Sequence, residues 1–472
     1  NIHASFYLNS GSDNSNGIWV AQNVATALNV DGSRFDILSN NSNGIYVGSG
    51  NGNTATVAAM SVKNARFNVY GKQTTGINIS DAATTAALTI ENSTFDVDGN
   101  NNHASGQRSS GIYLNSGTGG ATIGPGTGAA DSTRFYVRGG GAIGIATNAS
   151  KNNGTTNQSF TFNGTAGKPV DFTVGTDGST YNTGMLIQSG NSNTTKQIAI
   201  TGSSATANFD MRIGKSAQDN NNTNIDKQHN VGIVNTGGIS KLTIKHGTTT
   251  MPGGGNSGHG LGVLELHGND NVGFANLGFI ADTDGIEFNS VEIDGDRNVG
   301  MLFAPNTKGT SISNTNQSAG WVQGSNKIKV QGIIGGVSES GNKDGKSVNS
   351  FGVYAISGQS SKGNNAMVGG ASAASNDLDV EINMGVGSSG YKNVVVYAGK
   401  GTEVSMKNSA TATTVYGPGL ALVDTISDGE DMDSGAHKWG YKYGKGDTRT
   451  SEETTIAYAD GIYRNSEHHL LP

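Results

Sequence analysis

The chain has 472 residues, of which 73 are glycine, 14% are charged and 34% are hydrophobic, a composition unlike that of an ordinary globular protein. It has 6 prolines and no cysteine, which excludes disulfides and thiolate metal sites. The formal net charge of −7, with positive charge dispersed along the chain, argues against a nucleic-acid partner.

A glycine followed by apolar, β-forming residues recurs along the chain. It occurs first in NSNGIWV at Gly17 and returns with spacings of 27, 32, 35 and 33 residues. The ten copies lie at Gly17, Gly44, Gly76, Gly111, Gly144, Gly184, Gly232, Gly273, Gly300 and Gly352. A regular internal repeat of this length is typical of a solenoid.

The early copies carry two further short strands in a fixed order. The second strand has apolar residues such as Leu28 and Val30, Leu88 and Ile90, Phe160 and Phe162, and Ile198 and Ile200. The third has a phenylalanine, at Phe35, Phe67, Phe95, Phe135, Phe172 and Phe209. Apolar and polar residues alternate in all three, which predicts one inward face and one solvent face.

Three short, half-buried strands cannot bury their inward face alone, so successive units must stack strand upon equivalent strand. We therefore predict an all-β fold, a right-handed parallel β-helix (solenoid) with about three strands per coil, over residues 1–426. Insertions between strands, near Asn100 and Asp219, are expected to form loops on the outside and to be a working surface.

Glycine and asparagine at the turns favour positive φ, so Asp31-Gly32 and Asp98-Gly99 are predicted to be turns. The repeated NSN before Gly17 and Gly44 predicts stacked asparagine ladders. Residues 427–472 lack the repeat pattern and contain the aromatic run HKWGYKYG. We expect them to cap the last coil or to connect to a further part of the chain.

These Gly- and Asn-rich coils, with NSNGIYV, ALTI and RFNV strands, resemble the passenger domains of monomeric (type V) autotransporter adhesins, and most of all the large fusobacterial outer-membrane adhesins. The resemblance implies export to the bacterial cell surface at the outer membrane. It also implies binding to host-cell or bacterial surface glycans or proteins, without a cofactor. No apolar run approaches 18 residues, so we expect membrane attachment only through a translocator barrel outside this chain, and we expect a monomer.

Surface aromatics are the candidate ligand-binding residues. Trp19, Tyr46 and Tyr113 occupy equivalent repeat positions and predict an exposed ladder, interrupted by Asn78 and Ala146, that stacks on a sugar face or merely stiffens the rod. Further aromatic candidates are Trp321, Trp439 and Tyr354.

Enzymatic alternatives rest on carboxylates. Asp282, Asp284, Glu292, Asp294 and Asp296, with Arg297, form the densest acidic stretch and suggest a glycan-degrading site, although DG pairs also make turns. The string GNSGHG around Ser257 is a Gly-rich loop rather than a protease nucleophile.

The nine histidines show no metal-ligand spacing, and EIDGDRN lacks an EF-hand loop, so no metal site is predicted. We favour a binding protein without enzymatic activity. A glycan-degrading β-helix and a spacer that displays a binding tip elsewhere stay open.

Overall fold

A computed structural model gives the fold of the chain. It describes residues 1–48, 55–80, 83–85, 87–102, 108–115, 119–128, 131–148, 157–164, 167–188, 197–202, 209–215, 228–246, 261–278, 280, 283–295, 297–303, 328–334, 350–355, 366–368, 379–384, 394–398, 403–404, 421–422, 436–442 and 453–457. The chain divides into two compact units, the first of Asn1–Met211, Thr243–Gly262 and Leu471–Pro472, the second of Arg212–Leu242 and Val263–Leu470.

Unit 1 is a parallel β-helix with three strands per coil, as predicted. The Gly-strand sheet contains Asn16–Val20, Asn43–Val47, Thr75–Ile79, Ser110–Asn115, Ile143–Asn148 and Thr183–Gln188. The middle-strand sheet contains Val24–Asp31, Ala55–Lys63, Ala83–Thr85, Leu88–Glu91, Gly120–Gly124, Gln158–Phe162 and Gln197–Gly202. The Phe-strand sheet contains Ser5–Leu8, Arg34–Ile37, Arg66–Val69, Thr94–Asp98, Arg134–Arg138, Val170–Val174 and Phe209–Ile213.

Phenylalanine rings form the centre of unit 1. Phe6, Phe35, Phe67, Phe95, Phe135 and Phe172 stack ring on ring, with centroids 4.5–4.9 Å apart and planes within 7°. The parallel register places each ring directly beside its equivalent in the next coil. The stack ends at Phe209, whose ring meets that of Phe172 edge-on at 80°. One residue type at one repeat position therefore builds a continuous core.

The repeat glycines permit this close stacking. A Cβ atom at Gly44 would lie 2.7 Å from the carbonyl oxygen of Gly76 and 3.1 Å from the ring of Phe67. A Cβ atom at Gly76 would lie 2.5 Å from the carbonyl oxygen of Gly111. Any side chain here would push two coils apart, so the recurring glycine is a requirement of backbone packing.

The turn predictions were partly right. Gly32 has φ +62°, as expected of a turn glycine. The prediction for Gly99 was wrong, because the left-handed conformation belongs to Asn100 and Asn101. Gly99 instead lies against the backbone of Gly140, whose carbonyl oxygen would be 2.0 Å from an added Cβ.

Unit 2 continues the same strand types. Its Gly-strand sheet contains Val231–Asn235, Val272–Asn276, Val299–Phe303, Phe351–Ala355, Val394–Ala398 and Ala421–Leu422. The other parallel strands of this part of the chain are Lys241–His246, Val263–Leu266, Gly285–Glu287, Ser290–Ile293, Ile328–Ile334, Asp379–Met384, and the pair Ala366–Val368 and Glu403–Val404. Ile328–Ile334 pairs with both Gly285–Glu287 and Ser290–Ile293.

Buried amides join the coils of unit 2. The backbone N–H of Asn230 donates to Oδ1 of Asn271 at 3.0 Å, and that of Asn271 donates to Oδ1 of Asn298 at 2.9 Å. The N–H of Asn298 donates to Oγ of Ser350 at 3.1 Å. All four side chains are fully buried, so this ladder satisfies backbone groups that water cannot reach.

Pairing changes direction near the end of the chain. Ala436–Lys442 pairs antiparallel with Ala421–Leu422 and with Glu453–Ala457. The predicted boundary near residue 426 and the capping role of residues 427–472 stay predictions. In the part of the chain that the structure describes, no helix is long and apolar enough to cross a membrane.

The repeat glycines, which form a glycine column through the stacked Gly strands, provide a direct stability test. Gly76→Ala is expected to lower the free energy of unfolding by about 1–3 kcal/mol, because the added methyl meets the Gly111 carbonyl. Gly167 has nothing within 4 Å of an added Cβ, so Gly167→Ala is the control and should change stability by less than about 1 kcal/mol. Urea unfolding followed by circular dichroism measures both, and equal effects would contradict the packing explanation.

Candidate functional site

The predicted aromatic residues share one outward column of the Gly-strand sheet. Trp19 pairs with Tyr46, Tyr46 with Asn78, Asn78 with Tyr113, and Tyr113 with Ala146. The neighbouring apolar positions face inward, since side chains such as Ile45 and Val47 are fully buried. The column and its two interruptions therefore lie where the repeat predicted them.

Exposure along this column is uneven. Trp19 is 54% exposed, whereas Tyr46 and Tyr113 are half-buried and Ala146 is buried. The indole Nε1 of Trp19 donates to the carbonyl oxygen of Gly48 at 2.9 Å, which fixes the ring against the next coil. The accessible aromatic surface of the column is thus concentrated at Trp19.

Polar side chains flank the aromatic column. Nδ2 of Asn43 donates to Oδ1 of Asn16 at 2.8 Å, and Nδ2 of Asn78 donates to Oδ1 of Asn43 at 3.0 Å. The stacking predicted from the repeated NSN is therefore confirmed for Asn16 and Asn43, and Asn78, an interruption of the aromatic column, extends it by one coil. It holds amide groups in fixed positions beside Trp19, where they can hydrogen-bond to a ligand as well as to each other.

Arg297 and the described acidic residues Asp284 and Asp294 each contact a different partner. Asp284 pairs with Lys241 at 2.6 Å, while Arg297 contacts both oxygens of the buried Asp270 at 2.8 and 2.9 Å. Asp294 lies elsewhere, beside His267. Arg297 is thus engaged by a structural ion pair, and Asp282 and Asp296 lie outside the described residues.

A mixed ion cluster occupies the outward side of two adjacent strands. His267 lies 3.5 Å from Glu265 and 3.6 Å from Asp294, and Glu265 pairs in register with Glu292. Burial of His267 opposes protonation, but the two carboxylates outweigh it and raise the pKa of His267 to about 9. The imidazole is therefore a cation at neutral pH and balances this acidic pair.

Several other candidates lie outside the described residues. They are Ser257 with its Gly-rich loop, Trp321 and most of the loops near Asn100 and Asp219, together with the side chain of Trp439. Tyr354 is described and buried, so it offers no recognition surface. Among the described residues, no group of histidine, aspartate and glutamate side chains has a geometry that could hold a metal ion.

Two exposed tyrosines were not singled out from the sequence. Tyr7 is 64% and Tyr136 is 37% exposed, and both lie on the outward side of the Phe-strand sheet. The alternation in FYL and RFYV could have predicted their exposure, because a residue that follows an inward phenylalanine in a strand must point to solvent.

Comparisons with known protein families, with curated proteins and with solved structures find no match for this chain. Functional inference therefore depends on the residues described above.

The His267 cluster predicts a pH-dependent stability. Because the pKa of His267 rises from 6.5 to about 9 on folding, its contribution is fully present below about pH 6.5 and is lost as the pH rises through 9. Between pH 7 and pH 10 the wild type should lose on the order of 1–3 kcal/mol more than His267→Gln does.

The exposed Thr26 provides the control, since Thr26→Ala removes no titratable group and should keep the wild-type pH dependence. Urea unfolding at several pH values measures the difference. Parallel stability curves for wild type and His267→Gln would contradict the assignment.

Proposed function

We propose that this chain is the passenger segment of a cell-surface adhesin. It binds host-cell or bacterial surface molecules, glycans or proteins, through loops and a sheet face of its β-helix, without chemical turnover. The observation that carries the proposal is Trp19, an indole held 54% exposed on a stacked, rigid sheet face. The exposed indole presents an apolar face on which a sugar ring can stack.

The surroundings of Trp19 support recognition rather than stiffening alone. The Asn16–Asn43–Asn78 ladder presents amides next to the ring, and the ring itself is fixed by its bond to Gly48. A binding surface built from fixed groups loses little conformational entropy when a ligand arrives. This combination favours a platform for one face of a ligand such as a sugar ring.

The wider setting belongs to the same proposal. A stack of coils with outward side chains is suited to exposure on a bacterial surface, and the resemblance to type V autotransporter passengers points to the outer membrane. Attachment then occurs through a part of the protein outside this chain.

A glycan-degrading enzyme is the second candidate. The adjacency of Glu265, Glu292 and Asp294 favours it, because paired carboxylates can act as acid and base. The cation His267 between Glu265 and Asp294 gives the cluster a structural role as well, so we prefer the binding function.

Binding to cells and to a glycan array tests the proposal. The purified chain should bind saturably, and Trp19→Ala should weaken binding about tenfold, the loss expected for one aromatic contact. Trp19→Phe should retain part of the affinity, since it keeps an apolar ring.

Thr26→Ala is the control, an exposed residue of the middle-strand sheet in the same unit, and it should bind like wild type. Absence of binding to every cell and glycan would contradict the adhesin and leave a spacer. Equal binding by wild type and Trp19→Ala would move the site away from the aromatic column.

A further inference from the structure

The Phe-strand sheet of unit 1 has a second outward column, bounded by tyrosines. Tyr7 pairs with Asp36, Asp36 with Asn68, Asn68 with Asp96, and Asp96 with Tyr136. We call this surface the Tyr7–Tyr136 face. Its two rings are the most exposed aromatic side chains described apart from Trp19.

The first half of this face is fixed by side-chain hydrogen bonds. Nε of Arg34 donates to Oδ2 of Asp36 at 2.8 Å, and Nδ2 of Asn68 donates to Oδ1 of Asp36. Nε of Arg66 donates to Oδ1 of Asn68 at 3.0 Å. Burial opposes ionisation of Asp36, but the bonds from Arg34 and Asn68 outweigh it and hold its pKa below the usual value.

The second half is fixed in the same way. Arg138 donates from Nε to Oδ1 of Asp96 at 2.8 Å and from Nη1 to Oδ2 of Asp98 at 3.1 Å. The hydroxyl of Tyr70 donates to Oδ2 of Asp96 at 2.8 Å, and the Arg138 guanidinium lies 5.5 Å from the centre of the Tyr70 ring. Polar groups between the two exposed tyrosines are therefore held in place before any ligand binds.

Charges on this face balance. The four cations are Arg34, Arg66, Arg134 and Arg138, and the four anions are Asp36, Asp96, Asp98 and Asp171. Most are arranged as ion pairs, so the face has little net field to attract a charged partner. Donors and acceptors alternate along it, which suits a ligand with many hydroxyl groups, since each hydroxyl both donates and accepts.

We propose that the Tyr7–Tyr136 face binds one extended, uncharged glycan chain along the direction of coil stacking. Tyr7 and Tyr136 stack on the apolar faces of sugar rings at its two ends, and the arginine and aspartate groups between them bind its hydroxyls. Asn68 is itself buried, and its amide positions Asp36. Four strand spacings separate the tyrosines, roughly 19 Å, so a single chain must span several sugar units to contact both. This goes beyond the proposed function, since it assigns a second surface and a ligand class.

An array of uncharged oligosaccharides, from disaccharides to octasaccharides, tests the inference beside sialylated and sulfated chains. The wild type should prefer long uncharged chains, and its affinity should change little with salt. Tyr7→Ala and Tyr136→Ala should each weaken binding of the long chain about tenfold. On disaccharides, which reach one tyrosine at a time, each single variant should keep the other site, and only the double variant should lose binding.

Thr26→Ala, at an exposed residue of the middle-strand sheet of unit 1, is the matched control and should leave this binding unchanged. The inference is overturned if the Tyr7→Ala/Tyr136→Ala variant binds long uncharged chains as tightly as the wild type does. It is also overturned if the wild type binds charged chains best, or if it binds a protein and no oligosaccharide. One outcome separates the two proposals: the chain binds cells through Trp19 but binds no uncharged oligosaccharide. That outcome contradicts this inference and still supports the adhesin. Binding of uncharged oligosaccharides that depends on Tyr7 and Tyr136 but not on Trp19 supports this inference and moves the adhesin's site away from the aromatic column.

Discussion

In-register stacking of equivalent strands is the constraint on which each unit depends. In unit 1 the rings from Phe6 to Phe172 stack at 4.5–4.9 Å, close to the spacing of neighbouring strands, so ring stacking and backbone pairing favour the same register. A shift of one residue would turn every phenylalanine to solvent. The glycine column adds a second restraint, because only glycine permits the approach of consecutive Gly strands. Core and backbone therefore select one register between them.

The same constraint organises the surface. Side chains at one repeat position form a column on the surface. A side chain that differs from its neighbours in the column gives that coil a distinct surface. Trp19 is such a residue on the Gly-strand sheet, and Tyr7 and Tyr136 are such residues on the Phe-strand sheet. Binding surfaces on this fold need no cleft, because register alone brings distant parts of the sequence into a line. Loops can then add specificity without disturbing the core.

Much of this architecture is legible in the sequence, and the failures have physical causes. Repeated Gly-Ile and Phe positions predicted three parallel sheets, and the outward place of Trp19 followed from alternation. The strand Gly120–Gly124 escaped notice because glycines flank its few apolar residues. The pairing of Arg297 with Asp270 was missed because both precede a Gly strand in different coils and meet only through stacking. Gly99 was misread because close backbone approach and positive φ both select glycine.

The most direct test of this account is cysteine cross-linking between coils, which is clean because the chain has no cysteine of its own. Arg66 and Thr94 are register partners on adjacent Phe strands, so their Cα atoms lie roughly 4.8 Å apart, within disulfide range. Asp96 is two residues out of register with Arg66 on the same face, roughly 8 Å away and too far to bridge. The Arg66→Cys/Thr94→Cys variant should oxidise to an intramolecular disulfide in the folded protein, and Arg66→Cys/Asp96→Cys should not. Efficient cross-linking of the second pair, or failure of the first, would contradict the stacked register.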